Sequence, residues 1–207
     1  MKKIMFSDRY GLTQAALEGR KTMTRRIANP LSSNIDRRIF GTLSEGSCII
    51  ERKLVYTEGQ RIFVSQYKFG EVVAIAQSYE TLANSGTEQL GNMLATSSTF
   101  KEEYTGAGWG NKMFVKAELM PHRIRITDIK VERLQDISDE ECLKEGISTT
   151  NVFEVGYGIP EAYVFDGSEI AYITPRQAFA ALIDKVSGKG TWESNPYVFC
   201  YTFELVD

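Results

Sequence analysis

Histidine is almost missing from this chain: of its 207 residues only His122 carries an imidazole. Acyl-transfer chemistry would therefore need a base other than the histidine of a serine-type triad. A metal centre would have to be built mainly from carboxylates, and no clustered set stands out, so neither a metal nor an organic cofactor is expected. Cysteine is scarce as well. Cys48, Cys142 and Cys200 are an odd count without close spacing, which excludes a disulfide framework and a zinc site. No apolar run approaches membrane-spanning length, and Met1-Lys2-Lys3 precedes only three apolar residues before Ser7 and Asp8. A soluble protein of a reducing, cytoplasmic compartment is expected, with no membrane partner. There is no excess of positive charge: 24 Lys and Arg stand against 27 Asp and Glu, a net charge of -3. Whole-molecule attraction to nucleic acid is excluded on that balance, but a local patch is not.

What is present is enough for a core. Hydrophobic residues make up 43% of the chain, and residues 1–207 read as one domain. Lys3–Phe6 reads as a strand, followed by a helix from Ser7 or Asp8 to Glu18 that Gly19 ends in a left-handed conformation. Cys48 to Tyr56 and Arg61–Val64 read as strands paired across Thr57–Gln60, with a buried strand at Val72–Ala76. Met113–Leu119 resumes strand character. Ile124 and Ile126, then Ile129 and Val131, alternate with a slip of phase at Thr127-Asp128. Ser138 and Glu141 form a capping box for a helix ending at Gly146. Thr174-Pro175 starts another, with the stripe Phe179, Leu182, Ile183 and Val186. Tyr197–Val206 is a closing strand. Two segments, about 78–112 and 148–174, read as insertions. The elements imply an α+β fold: a small mixed or antiparallel β-barrel decorated by about three helices.

The residues Gly19-Arg20-Lys21-Thr22-Met23-Thr24-Arg25-Arg26 carry the chemistry. A threonine hydroxyl becomes a nucleophile only when a neighbouring group takes its proton, and a lysine can do so when burial or nearby cations depress its pKa. Lys21 and Thr24 have a spacing at which a turn brings amine and hydroxyl together. Arg20, Arg25 and Arg26 supply charge for a ligand. The run from Arg20 to Arg38 holds six Lys and Arg against Asp36, a local basic patch. Glu145 occupies the last turn of its helix, where the dipole disfavours a carboxylate by roughly 0.3–1 kcal/mol. Such local rule-breaking is expected at functional positions. Tyr67 and Trp109 are candidates for stacking on a ligand.

Gly19-x-Lys21-x-x-Thr24-x-Arg26 resembles the signature of ASCH domains, a PUA-like superfamily of β-barrels associated with RNA. The general pattern has Glu where this chain has Thr24. The threonine version is similar to small bacterial N4-acetylcytidine amidohydrolases. Leu134–Ser138 through Glu145-Gly146-Ile147 is similar to their later helix and aligns Glu145 with the family's catalytic carboxylate. Tyr67-Lys68-Phe69-Gly70-Glu71-Val72 and the closing aromatic strand add to the likeness, as do longer uncharacterised ASCH-like proteins of bacteria and phages. The likeness covers residues 1–26, about 67–76, 113–147 and 176–206.

The resemblance implies a hydrolase of an acylated nucleoside amine. Lys21, Thr24 and Glu145 would be catalytic, and Arg20, Arg25, Arg26, Tyr67 and Trp109 would bind substrate. Two other readings stand beside it: a non-catalytic RNA- or nucleotide-binding module, and an accessory protein of a phage or mobile element. Protein partners are not indicated.

Overall fold

The computed structural model of the protein describes residues 1–31, 45–84, 109–150 and 162–206. The chain is α+β and divides into two units, one of residues 1–6, 72–125 and 205–207 and the other of residues 7–71 and 126–204. Much of the expected insertion at 78–112, and of that at 148–174, lies outside the described residues, as do Arg37 and Arg38 of the basic patch.

In the first unit, β1 (Lys3–Ile4) runs parallel to β6 (Val72–Ile75), which pairs antiparallel with the start of β7 (Arg123–Arg133) through Val72↔Arg125 and Ala74↔Arg123. The chain then turns into helix α2 (Tyr79–Asn84), whose first turn is capped by the Ser78 hydroxyl accepting from Thr81 N at 3.1 Å. Ala74, Tyr79, Leu82, Val115, Ala117 and Met120 form the core here, with Trp109 and Leu119 packed against it. The strand expected at Met113–Leu119 is instead two 3-10 turns, Lys112–Phe114 and Ala117–Leu119. Asn111 caps the first turn by accepting from Met113 N at 3.0 Å. Lys3 Nζ reaches into the segment to donate to the carbonyls of Lys112 and Val115. Those backbone groups are thus satisfied without a partner strand.

In the second unit the sheet order is β7, β10 (Tyr197–Val206), β2 (Met23–Ile27). β10 and β2 are antiparallel with Phe199↔Arg26, Cys200↔Arg25 and Tyr201↔Thr24 in register. The expected single strand from Cys48 to Tyr56 is two, β3 (Gly46–Ile50) and β4 (Lys53–Glu58), joined by a two-residue turn at Glu51-Arg52 with φ of 49° and 66°. β5 (Arg61–Val64) follows across Gly59-Gln60. A short ladder pairs β8 (Ser148–Thr150) with β9 (Ala162–Val164).

The expected first helix is split. A 3-10 turn at Asp8–Tyr10 precedes α1 (Leu12–Leu17), and Gly11 between them sits at φ 62°. A Cβ at Gly11 would lie 1.8 Å from Asp166 Oδ2, so only glycine fits. α3 (Asp139–Lys144) has both halves of the capping box. α4 (Pro175–Ser187) buries Phe179, Leu182 and Ile183, but Val186 is 41% exposed and lies off the stripe. α5 (Thr191–Ser194) is clamped by Asp184, which accepts from Gly190 N at 3.0 Å and Trp192 N at 2.8 Å. Among the described residues these pairings do not close a barrel, and the α-helices number more than the three expected. None of them is long and apolar enough to cross a membrane, and no carboxylate, cysteine or histidine group among the described residues has the arrangement of a metal site.

Candidate functional site

Two glycines bring distant parts of the second unit together. Gly19, at φ 74°, ends α1, so the backbone turns back and Lys21 N donates to Ala15 O at 2.9 Å. Thr22 N then donates to Lys144 O at 3.0 Å, tying the start of β2 to the end of α3. Glu145 is the C-cap of α3, and Gly146 follows at φ 106°. A Cβ on Gly146 would meet Leu12 Cδ2 at 3.0 Å and Lys21 Cδ at 3.8 Å. Glycine lets the helix end rest against α1 and the lysine stem.

Lys21 and Glu145 meet there, each nearly sealed from solvent. Lys21 Nζ donates to Glu145 Oε2 and to the Glu145 carbonyl, both at 2.7 Å. The carbonyl is one of those a helix leaves unpaired at its C-terminus, and a cation on it also meets the negative end of the dipole. This resolves the awkward position of the Glu145 carboxylate, which is surrounded by cations. Its other oxygen, Oε1, accepts from Arg25 NH1 at 3.2 Å. Burial pulls the Lys21 amine below its ordinary pKa and Arg26 adds to that, while Glu145 opposes it.

Arg25 extends the network. Its side chain is wholly buried, its Nε donates to Glu132 Oε1 at 2.8 Å, and its NH2 pairs with Glu141 Oε2 at 2.5 Å. Burial would lower its pKa, but Glu145, Cys200 and Glu132 carry it above the ordinary value. Lys130 completes the set, pairing with Glu132 at 2.8 Å and Glu141 at 2.5 Å. Lys21, Arg25 and Lys130 thus face Glu132, Glu141 and Glu145 in one network, in which each buried carboxylate has partners.

The alternation of β2 sends Thr24 and Arg26 to the face opposite Arg25. Thr24 lies directly across from Tyr201, whose ring meets Tyr67 edge-on with centroids 5.2 Å apart. Tyr67 and Tyr201 are both buried, and burial pushes the Tyr201 hydroxyl up to about 12. The positive charge of Arg26 acts on Lys21, Tyr67 and Tyr201 alike, so this side chain links the lysine to the aromatic face. Thr24 is only 4% exposed.

The chain matches no protein-family model, no curated protein and no solved structure. Function therefore rests on the site itself.

The structure brings Lys21, Arg25 and Glu145 into direct contact and sets Thr24, Arg26 and Tyr67 around Tyr201. Arg20 is elsewhere: it is exposed and pairs with Glu18 at 2.7 Å. Trp109 belongs to the first unit and packs on the cluster around Tyr79 and Leu82. Sequence reasoning missed Lys130, Glu132, Cys200 and Tyr201, and took Glu141 only as a cap. One signal was available. In a strand the doublet Arg25-Arg26 sends one guanidinium to each face, and a guanidinium on a buried face needs carboxylates.

Proposed function

We propose that the chain is an ASCH-type protein with a PUA-like barrel, and a hydrolase that removes an acyl group from the amine of a nucleoside base, N4-acetylcytidine being the model substrate. The observation that carries this reading is the buried Lys21 amine, gripped twice by Glu145 and depressed in pKa. The antiparallel pairing of β2 with the closing strand and the hairpins β3–β4–β5 support the fold.

A neutral amine has two N–H groups, and the carboxylate and carbonyl of Glu145 are two acceptors. The lone pair is thereby directed away from Glu145. The step requires the Thr24 hydroxyl to come within reach of that lone pair in the complex with substrate; Lys21 then takes its proton as the oxygen bonds to the amide carbonyl carbon. The tetrahedral intermediate collapses, the C–N bond breaks, and Lys21 returns the proton to the departing base amine. Water then attacks the acyl-threonine ester, passing its proton through Lys21 to the threonine oxygen and releasing the acid. Arg26, on the Thr24 face, stabilises the developing oxyanion. Tyr67 shapes the apolar wall beside it.

The test is incubation with N4-acetylcytidine, following cytidine by chromatography. Turnover that is lost in Lys21→Ala and Thr24→Ala is expected; no turnover, or turnover indifferent to both changes, contradicts the reading. The RNA-binding alternative is weakened by the burial of Lys21 and Arg25, whose side chains are turned to internal carboxylates. It would be favoured instead by RNA affinity that falls steeply with salt.

A further inference from the structure

We propose that Arg25 is a positioning residue for the Lys21–Glu145 pair: anchored by Glu132 and Glu141, it holds Glu145 Oε1 so that Oε2 and the carbonyl fix the Lys21 amine in one orientation. The geometry rests on the ionic cluster alone, while its catalytic consequence rests on the hydrolase reading above.

Arg25 is set apart from the other cations of the Gly19–Arg26 run by what surrounds it. Arg20 is exposed, but the Arg25 side chain is fully buried and donates to three carboxylates. A planar guanidinium with several fixed donors is suited to hold partners in one geometry, as a lysine is not. All three partners come from outside the Gly19–Arg26 run: Glu132 from β7, Glu141 from the first turn of α3 and Glu145 from its C-cap. Glu141 is itself fixed by accepting from Ser138 N at 3.3 Å and from Lys130 at 2.5 Å. The anchor for Arg25 is therefore rigid before it reaches Glu145.

The consequence for Lys21 follows from how Glu145 divides its charge. With Oε1 held by Arg25, only Oε2 faces the amine. Without Arg25 the carboxylate could turn both oxygens toward Lys21 and favour its charged form. Arg26 of β2 and Cys200 of β10 also act on Lys21, while α1 offers the Ala15 carbonyl to its backbone and turns its own Glu18 toward Arg20. None of these would be removed by a change at Arg25.

The experiment is an NMR titration of the 15N-labelled Lys21 amine in the full chain. In Arg25→Met the titration midpoint should rise by about one pH unit, and Arg25→Lys should bring it back toward the wild-type value. Glu141→Gln, which loosens the anchor of Arg25 but takes no contact from Lys21, should move the midpoint up by a smaller amount; a downward move, the effect of simply losing a nearby negative charge, counts against the anchor. If Arg25→Met fails to fold, Glu141→Gln alone decides. A Lys21 midpoint unmoved in the folded variants overturns the proposal. Where N4-acetylcytidine is turned over, Arg25→Met should lower kcat about ten-fold or more with KM little changed. It should also shift the acidic limb of the pH profile upward. Absence of turnover in the wild-type chain would count against the hydrolase, and the titration would still decide the role of Arg25.

Discussion

Glu145 grips Lys21 from two directions, through its carboxylate and through its backbone carbonyl, each 2.7 Å from the amine. The carbonyl belongs to the capped end of α3 and the carboxylate is steadied by Arg25. The position of the lysine amine is thus set by the helix end as much as by the ion pair. Such an amine is costly to keep charged, because burial outweighs the help from Glu145.

That cost gives Lys21 a signature in stability. Its folded pKa lies below the ordinary lysine value of 10.5, so between the lowered value and about 10.5 the unfolded chain binds more protons than the folded one. Stability from this group must therefore rise with pH across that window, and its penalty is complete below it. The unfolding free energy of the wild type, minus that of Lys21→Met, should increase as pH is raised from neutral toward 10. Chemical denaturation at several pH values measures it, and a flat difference would refute the lowered pKa.

Arg25 and Arg20 should behave as opposites. Arg25 is buried among three carboxylates, and Arg25→Ala leaves Glu145 sealed with one partner fewer, a loss of about 3–5 kcal/mol. Arg20 sits in an exposed pair with Glu18, and Arg20→Ala should cost under about 1 kcal/mol. Urea unfolding of the two variants separates them. Equal losses would mean that the cluster does not hold the fold.

The cysteines should divide in the same way. Burial pushes the thiols of Cys142 and Cys200 up to about 12, whereas Cys48 lies half-buried on β3. A thiol-reactive label read out by peptide mass spectrometry should modify Cys48 first in the native chain. Cys142 and Cys200 should react only with unfolding. Early labelling of Cys200 would contradict the packing around Arg25.

The parts of this molecule legible in the sequence are those fixed by neighbours in the chain. The Ser138–Glu141 cap is visible because a serine and a glutamate three residues apart satisfy each other's backbone, and the Thr174 cap is of the same kind. The phase slip in β7 is also local: Ile126 and Ile129 are buried while Thr127 and Asp128 are both exposed.

What escaped was fixed from far away. Gly11 interrupts the first helix at φ 62°, with the Asp166 side chain filling the place a Cβ would take, and the spacing of Leu12 and Ala16 fits a helix with or without that break. Glu51 and Arg52 make the β3–β4 turn at positive φ without the glycine or asparagine that usually marks one. At the site, Lys21, Thr24 and Glu145 could be singled out from the sequence, yet Arg25 read as a ligand-facing cation. Its three carboxylates come from segments that only the fold assembles.

The most direct test of the central claim is the fate of the acyl group. The chain would be mixed with N4-acetylcytidine, quenched at short times and digested for mass spectrometry. The account predicts an acetyl ester on Thr24 that accompanies cytidine release and is absent, with the release, in Thr24→Ala. Cytidine release that leaves Thr24 unmodified and persists in Thr24→Ala would contradict it.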